Sequence, residues 1–411
     1  MLKKCIVVIF DGLGDRPISE LNNKTPLEAA VTPHLDYMAA NGESGLMYSL
    51  GRGVRPGSDV SHMEIFGYPI SKYYTGRGPI EVAGIGIKHQ EGDVAFRGNV
   101  GTVDEDWNIV DRRAGRIKDV RPFAEALDGM TINGVEFIVK AGTAHRIGLI
   151  MRGHGKKISS SVSDADPHDA GLPLHEVVPT DDTPEAKFTA EVLNKFMKRS
   201  YDILKDHPLN IERRNNGELE GNFILLRGPG QFPSMPSFKE KYHMKVCCIA
   251  GGGLYRGIGS FLGMDIIDLP GTTALADTDV DIKFRTAVEK LSDYDFVFVH
   301  VKGTDSMGED GNYIGKRDFI TKIDKAAKHF LDIPEETLVV FTADHSTPCE
   351  LKAHSADPVP VMFYAKSSLR VDDVTQFSER AAAKGGLGVI EGKDLMPQIE
   401  NLLGKLHLIG A

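Results

Sequence analysis

Apolar positions along the chain come in short unbroken runs rather than long stripes. Six of them, Cys5 to Phe10, Phe223 to Leu226, Lys245 to Ala250, Asp265 to Leu269, Phe296 to Val301 and Leu338 to Thr342, are four to six residues long and rich in β-branched and aromatic side chains. Continuous apolarity over that length fits strands buried on both faces of a parallel sheet. Between several of these runs the spacing turns helical, as over Asp281 to Leu291 and Arg317 to Phe330. That alternation predicts an α/β fold, a three-layer sandwich around a mostly parallel sheet.

The middle of the chain reads differently. From about Glu91 to Asn216, short alternating segments (Asp93 to Val103, Glu136 to Ala141, His145 to Met151) accompany one strongly amphipathic helix, Pro184 to Leu204. The expectation is a discontinuous core domain, residues 1–90 and 216–411, carrying an inserted α+β domain over 91–215.

Composition narrows the class. The 411 residues are 41% hydrophobic and 26% charged, near the globular average, and suffice for two to three domains. A formal charge of -10 leaves no general basic field for nucleic acid or anionic lipid, so an anionic substrate must meet local Arg and Lys clusters. Four cysteines, two of them adjacent at Cys247 and Cys248, suggest a reducing cytoplasm. After Lys3 and Lys4 only six apolar residues precede Asp11, too few for a signal-peptide core, and no apolar stretch approaches the ~18 residues of a membrane span.

Candidate chemistry gathers where the buried runs end. Asp11-Gly12 follows the first run directly, at the carboxyl edge where open α/β sheets bind ligands, and a carboxylate there can ligate a metal or cap a helix. Phe341-Thr342-Ala343-Asp344-His345 delivers an acid and an imidazole to the same edge, and His354 lies ten residues beyond Asp344. The run Phe296 to Val301 leads into Lys302-Gly303-Thr304-Asp305, with Glu309 four residues after Asp305. Carboxylates and imidazoles in this number suit a pair of divalent cations, the arrangement that serves phosphoryl transfer. Arg55-Pro56-Gly57-Ser58-Asp59-Val60-Ser61-His62 adds a serine at the start of a predicted helix, either a nucleophile or a plain N-cap. Two other signatures fail. The glycines of Gly251-Gly252-Gly253-Leu254-Tyr255-Arg256-Gly257 have the wrong spacing for a dinucleotide fingerprint and read as a tight turn, and Gly311 to Lys316 lacks the spacing and hydroxyl of a P-loop.

In this order, Asp-Gly, the serine turn with His62, Lys-Gly-Thr-Asp, Thr-Ala-Asp-His-Ser-Thr-Pro and His354 resemble the alkaline phosphatase superfamily. More narrowly they resemble its archaeal-type cofactor-independent phosphoglycerate mutases. Family-like strings also occur at Asp111 to Arg116, Ser163 to His168 and Leu226 to Gly230. The resemblance implies an isomerase of glycolysis and gluconeogenesis that interconverts 2-phosphoglycerate and 3-phosphoglycerate through a phosphoserine, without 2,3-bisphosphoglycerate. It implies two divalent metal ions, manganese first, with magnesium, cobalt or zinc as alternatives. By that analogy Asp11, Ser58, Asp344 and His345 hold one ion, and Asp305, residue 309 and His354 hold the other. The family usually has His where this chain has Glu309, a change that favours harder ions. Within the insert, read as a lid that keeps water out, Asp166 is the implied acid and base for the glycerate hydroxyls, with Asp164 beside it. Arg146, Arg214 and, from the core, Lys283 are expected to pair with the substrate's carboxylate and phosphate. A metal-dependent phosphatase, another phosphomutase of the superfamily, or a weakened paralogue that only binds phosphorylated metabolites are the competing expectations, the last motivated by Glu309.

Overall fold

The computed structural model describes residues 1–410, which divide into two compact units: Met1–Tyr74 with the chain from Pro236 onward, and Thr75–Met235 between them. The sequence pattern put the crossings near 90 and 216. In the structure they fall further out, because helix Arg77–Gly84 packs on strand Val94–Val103 and strand Phe223–Gln231 pairs along that same strand.

The first unit is built on an eight-stranded sheet. Its order is Asp265–Ile266, Val246–Ile249, Phe296–Val301, Lys4–Phe10, Thr337–Thr342, Val359–Tyr364, Gly42–Tyr48, Gly388–Glu391. Only Val359–Tyr364 runs against its neighbours. Strands Phe296–Val301 and Thr337–Thr342 are buried along their whole length, as is Cys5–Phe10 between them, which is why they carry no polar alternation. Aromatic contacts reveal two covered faces. Phe10 and Phe341 meet Phe284 and Phe330 on one side, while Phe296 and Phe298 meet Phe66, just after helix Ser58–Ile65, on the other. Register places Ile9 opposite both His300 and Thr342, so the three central strands end together. The residues that follow each one therefore emerge at a single edge.

The second unit has a six-stranded antiparallel sheet centred on Val94–Val103, which pairs with Ile109–Asp111, Arg146–Arg152 and Phe223–Gln231. Phe223 to Leu226 thus belongs here, not to the parallel sheet its apolarity suggested. A four-residue run carries no periodicity to say which sheet it joins, and its partner strand lies more than a hundred residues upstream. Helix Pro184–Leu204 starts at Thr183, whose side chain accepts from Ala186 N, with Pro184 in the first turn. It buries Ala190, Leu193, Phe196, Met197 and Leu204, and Phe196 stacks on Phe137 at 4.1 Å.

One buried ion pair fastens the edge loops of the first unit. Lys316, fully buried, donates to Asp15 Oδ2 at 2.8 Å and to the carbonyls of Gly14 (3.2 Å) and Thr347 (3.0 Å), while Asp15 also accepts from Cys349 N. The ammonium therefore joins the loop after the first strand to the loop after Thr342. Removing one partner of a buried pair leaves the other charge uncompensated, so Lys316→Met is expected to cost about 3–5 kcal/mol in urea unfolding. Adding Asp15→Asn should recover part of that loss.

Glu379 gives a pH signature. Its carboxylate accepts from Thr25 Oγ1 and Asp15 N, yet burial, with Glu28 adding to it, raises its pKa from 4.5 to about 7. The fold holds this proton more tightly than the unfolded chain does, so the contribution is full below about 4.5 and fades as pH rises towards 7. Glu379→Gln should consequently become progressively more stable relative to the parent between pH 5 and 8. Thermal unfolding across that range measures the difference, and a constant gap would contradict the assignment.

Candidate active site

Three adjacent strand ends and one helix N-terminus build the site in the first unit. Asp11 follows Phe10, Asp305 lies in the first turn of helix Gly303–Glu309, and Asp344 and His345 follow Thr342. Asp11, Asp344 and His345 are all but fully enclosed. Ser58 opens helix Ser58–Ile65, and Gly57, not Ser58, occupies the cap position. The serine side chain is thereby released from capping, and its Oγ lies 3.1 Å from His345 Nε2.

His345 Nε2 is the meeting point. Asp11 Oδ1 and Asp344 Oδ2 each approach it at 3.3 Å, and Asp11, Asp344 and His345 form a compact set of donor atoms able to hold a metal ion. A second set comprises Asp305, His345 and His354. Its imidazoles stack at 3.6 Å, and His354 Nε2 lies 3.6 Å from Asp305 Oδ1 while its Nδ1 donates to Pro56 O. The Thr347 hydroxyl donates to Asp305 Oδ1 at 2.7 Å and sits 3.1 Å from His345 Nδ1. A hydroxyl that has given its proton to Asp305 can only accept from Nδ1–H, which in the neutral ring leaves the Nε2 lone pair facing Ser58, Asp11 and Asp344. Gly12 lets these groups close up: it sits at φ +61, and a Cβ there would meet Asp305 Oδ1 at 2.7 Å.

The donor sets fit divalent cations. Asp344 Oδ1 accepts from Gly12 N and His345 N, but Asp344 Oδ2 and Asp11 Oδ1 are buried with no hydrogen bond. Buried anionic oxygens without donors are costly, and a cation is the partner that would satisfy both. The electrostatics carry the same strain. Burial, then Asp11, pushes the Asp344 carboxyl up to about 6. Burial also works against ionised Asp11, but Lys302, His300 and His345 outweigh it and hold the carboxyl well below its usual range. For His345 the carboxylates outweigh burial, Asp344 foremost, and raise the imidazole to about 9. Beneath the site, burial lowers His62 and His300 to about 4, so both rings are neutral. His62 Nδ1 donates to Ser58 O at 2.6 Å, which anchors the serine's turn from below.

Not every expected ligand is here. Glu309 belongs to neither donor set and is exposed at the C-terminal end of its helix. Spacing of four residues puts it on the same helical face as Asp305, but the helix runs from the enclosed edge out to solvent. Partial desolvation and the Asp305 charge raise its carboxyl.

Two further side chains reach the carboxylates. Lys302 Nζ donates to Asp305 Oδ2 at 2.7 Å and lies 3.3 Å from Asp11 Oδ2, and the Tyr255 hydroxyl donates to Asp11 Oδ2. The signal for Lys302 was its place between a buried strand and Asp305. Tyr255 was hidden in a glycine string read only as a turn.

The second unit presents a cleft of about 490 Å³ in which Arg112, Arg113, Arg146, Arg227 and His145 outnumber Asp111 and Asp169. Asp166 is buried nearby and accepts two hydrogen bonds from Arg112, at 3.1 and 2.6 Å. Burial opposes its charge, but Arg112 outweighs it and the carboxyl stays below its usual range. Asp164 Oδ1 accepts from Gly228 N, and its Oδ2 lies 3.2 Å from His168 Nε2. Arg146 thus keeps company with Arg112 and Arg227, which the sequence reading cited only inside strings. Arg214 does not join them: it is spent on Glu220 and the Lys205 carbonyl. Neither is Lys283 at a surface. It is fully buried, lowered to about 8 by that burial, and donates to His300 O.

Known proteins agree with this architecture. A family model described as 2,3-bisphosphoglycerate-independent phosphoglycerate mutase matches residues 39–210. The protein of that name from Methanosphaera stadtmanae is 47% identical over 412 residues, covering 99% of this chain and 100% of that protein. Its namesake from Methanocaldococcus jannaschii is 45% identical, with 99% of each chain covered. Among solved structures, a Pyrococcus horikoshii protein matches with a TM-score of 0.85 at 34% identity over 100% of both chains. The cofactor-independent phosphoglycerate mutase of Thermoplasma acidophilum matches with a TM-score of 0.77 at 38% identity, over 98% of this chain and 100% of that one. Identity of this order along nearly the whole length settles kinship: the chain belongs to the 2,3-bisphosphoglycerate-independent phosphoglycerate mutases, a family of isomerases.

Proposed function

We propose that this chain interconverts 2-phosphoglycerate and 3-phosphoglycerate without 2,3-bisphosphoglycerate, passing the phosphoryl group through Ser58, as a cytoplasmic step of glycolysis and gluconeogenesis. The observation that supports this most is the Ser58 Oγ, freed from capping and 3.1 Å from His345 Nε2 beside two buried carboxylates. Divalent cations, manganese first, held by Asp11, Asp344 and His345 with Ser58, and by Asp305 and His354, would supply a lowered serine pKa and offset phosphate charge.

The chain's own groups do the rest. Ser58 attacks phosphorus, an Oγ–P bond forms as the bond from phosphorus to the glycerate oxygen breaks, and the backbone N–H groups at the start of helix Ser58–Ile65 favour the phosphoryl oxygens. Glycerate stays bound and turns. Its other hydroxyl then takes the phosphoryl group back from Ser58.

Asp166 is the proposed proton carrier. Arg112 keeps it ionised in the free protein, so it must take up one proton with the substrate, give it to the oxygen that leaves phosphorus, and regain one from the other hydroxyl as that hydroxyl attacks the phosphoserine. The arginines of the cleft suit the substrate carboxylate and phosphate by bidentate contact. The inserted unit is proposed to keep water from the phosphoserine while glycerate turns, since access by water would make the enzyme a phosphatase.

A ³¹P time course with 3-phosphoglycerate and Mn²⁺, and no bisphosphoglycerate, should show 2-phosphoglycerate forming faster than free phosphate. Ser58→Ala should abolish the conversion, and turnover surviving in that variant would refute the covalent route. Asp166→Asn should lower kcat by about 10²–10⁴-fold while leaving Mn²⁺ binding unchanged. Steady-state rates and calorimetric titration of the same preparation test the two halves of that statement.

A further inference from the structure

Lys302 is an unexpected residue for a site of this kind. A place meant for cations would gain affinity from bare carboxylates, yet an ammonium is built in among them. It follows strand Phe296–Val301 directly and precedes the helix that carries Asp305. Its Nζ lies 2.7 Å from Asp305 Oδ2, 3.3 Å from Asp11 Oδ2 and 3.3 Å from the Tyr255 hydroxyl. These partners answer the three donors of an ammonium. Asp11 belongs to one donor set and Asp305 to the other, so a single cationic side chain spans both.

We propose that Lys302 is a resident counter-cation, which holds the two donor sets together in the metal-free protein and is displaced from Asp11 and Asp305 when divalent ions enter. This rests on the two-cation reading given above. Charges a few ångströms apart in a poorly solvated site interact strongly, so an arriving dication meets both the loss of the lysine's ion pairs and its repulsion. The side chain has somewhere to go: it keeps 25% exposure while its two carboxylate partners keep 0% and 1%. A flexible four-carbon stem lets the ammonium swing to solvent while its methylenes stay packed. The arrangement also explains how three carboxylates survive in one enclosed space before metal arrives, since leaving them unpaired would destabilise the fold.

The test uses Lys302→Gln, which keeps most of the length and loses the charge, with Lys302→Arg as the charge-retaining control. Chelator-treated protein is titrated with Mn²⁺ by calorimetry, and thermal unfolding is recorded without and with the ion. The glutamine variant should bind Mn²⁺ about tenfold or more tightly, melt lower without the ion, and gain more stability on loading than the parent. Arginine should leave the affinity within about threefold. Should the glutamine variant fold only when loaded, it must hold Mn²⁺ against chelator concentrations that strip the parent. Unchanged or weaker binding in the glutamine variant, or an unchanged melting point without the ion, overturns the counter-cation role. Failure of the parent to bind any divalent ion would instead overturn the two-cation reading beneath it.

Discussion

Three carboxylates, those of Asp11, Asp305 and Asp344, are carried by neighbouring strand ends into one space from which water is largely excluded. Each repels the others, and in that environment repulsion of a few kcal/mol per pair is the expected scale. Inside the protein the Lys302 ammonium and the His345 imidazole are the groups that face them. The raised and lowered carboxyls follow: Asp11, next to Lys302, is held well below its usual range against its burial, while burial and the Asp11 charge push Asp344 up to about 6. The site is an electrostatic debt held by the sheet, and it defines what can bind there.

The rest of the first unit keeps that charge in place. Parallel register ends three strands at one level, the Lys316–Asp15 pair fastens the loops that follow two of them, and Gly12 permits Asp305 to approach within a distance no side chain would allow. Below the carboxylates lie His62, His300, Phe298 and Tyr255 in mutual ring contact. Neutral imidazoles make a floor that is polar enough to orient Ser58 through its carbonyl yet adds no charge of either sign. Charged residues in those positions would either neutralise the carboxylates permanently or drive them apart.

What the sequence made legible was the part dictated by local pattern. Runs such as Cys5 to Phe10 and Leu338 to Thr342 announce buried strands, and a polar residue straight after a buried strand must surface at the sheet edge, so Asp11, Asp344 and His345 could be found without a structure. Direction and distance were not legible. Phe223 to Leu226 has the apolarity of the core strands but is claimed by Val94–Val103 through long-range pairing. Arg214 and Lys283 sit on helices whose facing depends on packing, and one ends on Glu220 while the other is swallowed beneath His300. Tyr255 was invisible for a different reason, since a tyrosine in a glycine turn carries no chemical signature until folding sets Asp11 beside it, whereas Lys302 was marked only by its place between a buried strand and Asp305.

The two donor sets are unequal, and the cause lies in His345. Its Nδ1 faces Thr347 and its Nε2 faces Ser58, Asp11 and Asp344, so one ring serves the first set with the nitrogen best placed for it. That leaves Asp305 and His354 as the undivided donors of the second, with Glu309 exposed outside it. A set of one carboxylate and one imidazole is open on the side where a substrate's own oxygens can complete it. On the proposed two-cation reading the first set, closed by Ser58, would hold its ion before substrate arrives. On that reading the fuller donor set lies beside Ser58, and the sparser one is where a phosphate or carboxylate oxygen would be the natural missing ligand. A site so arranged would gain a second cation most firmly in the presence of a molecule that supplies that oxygen.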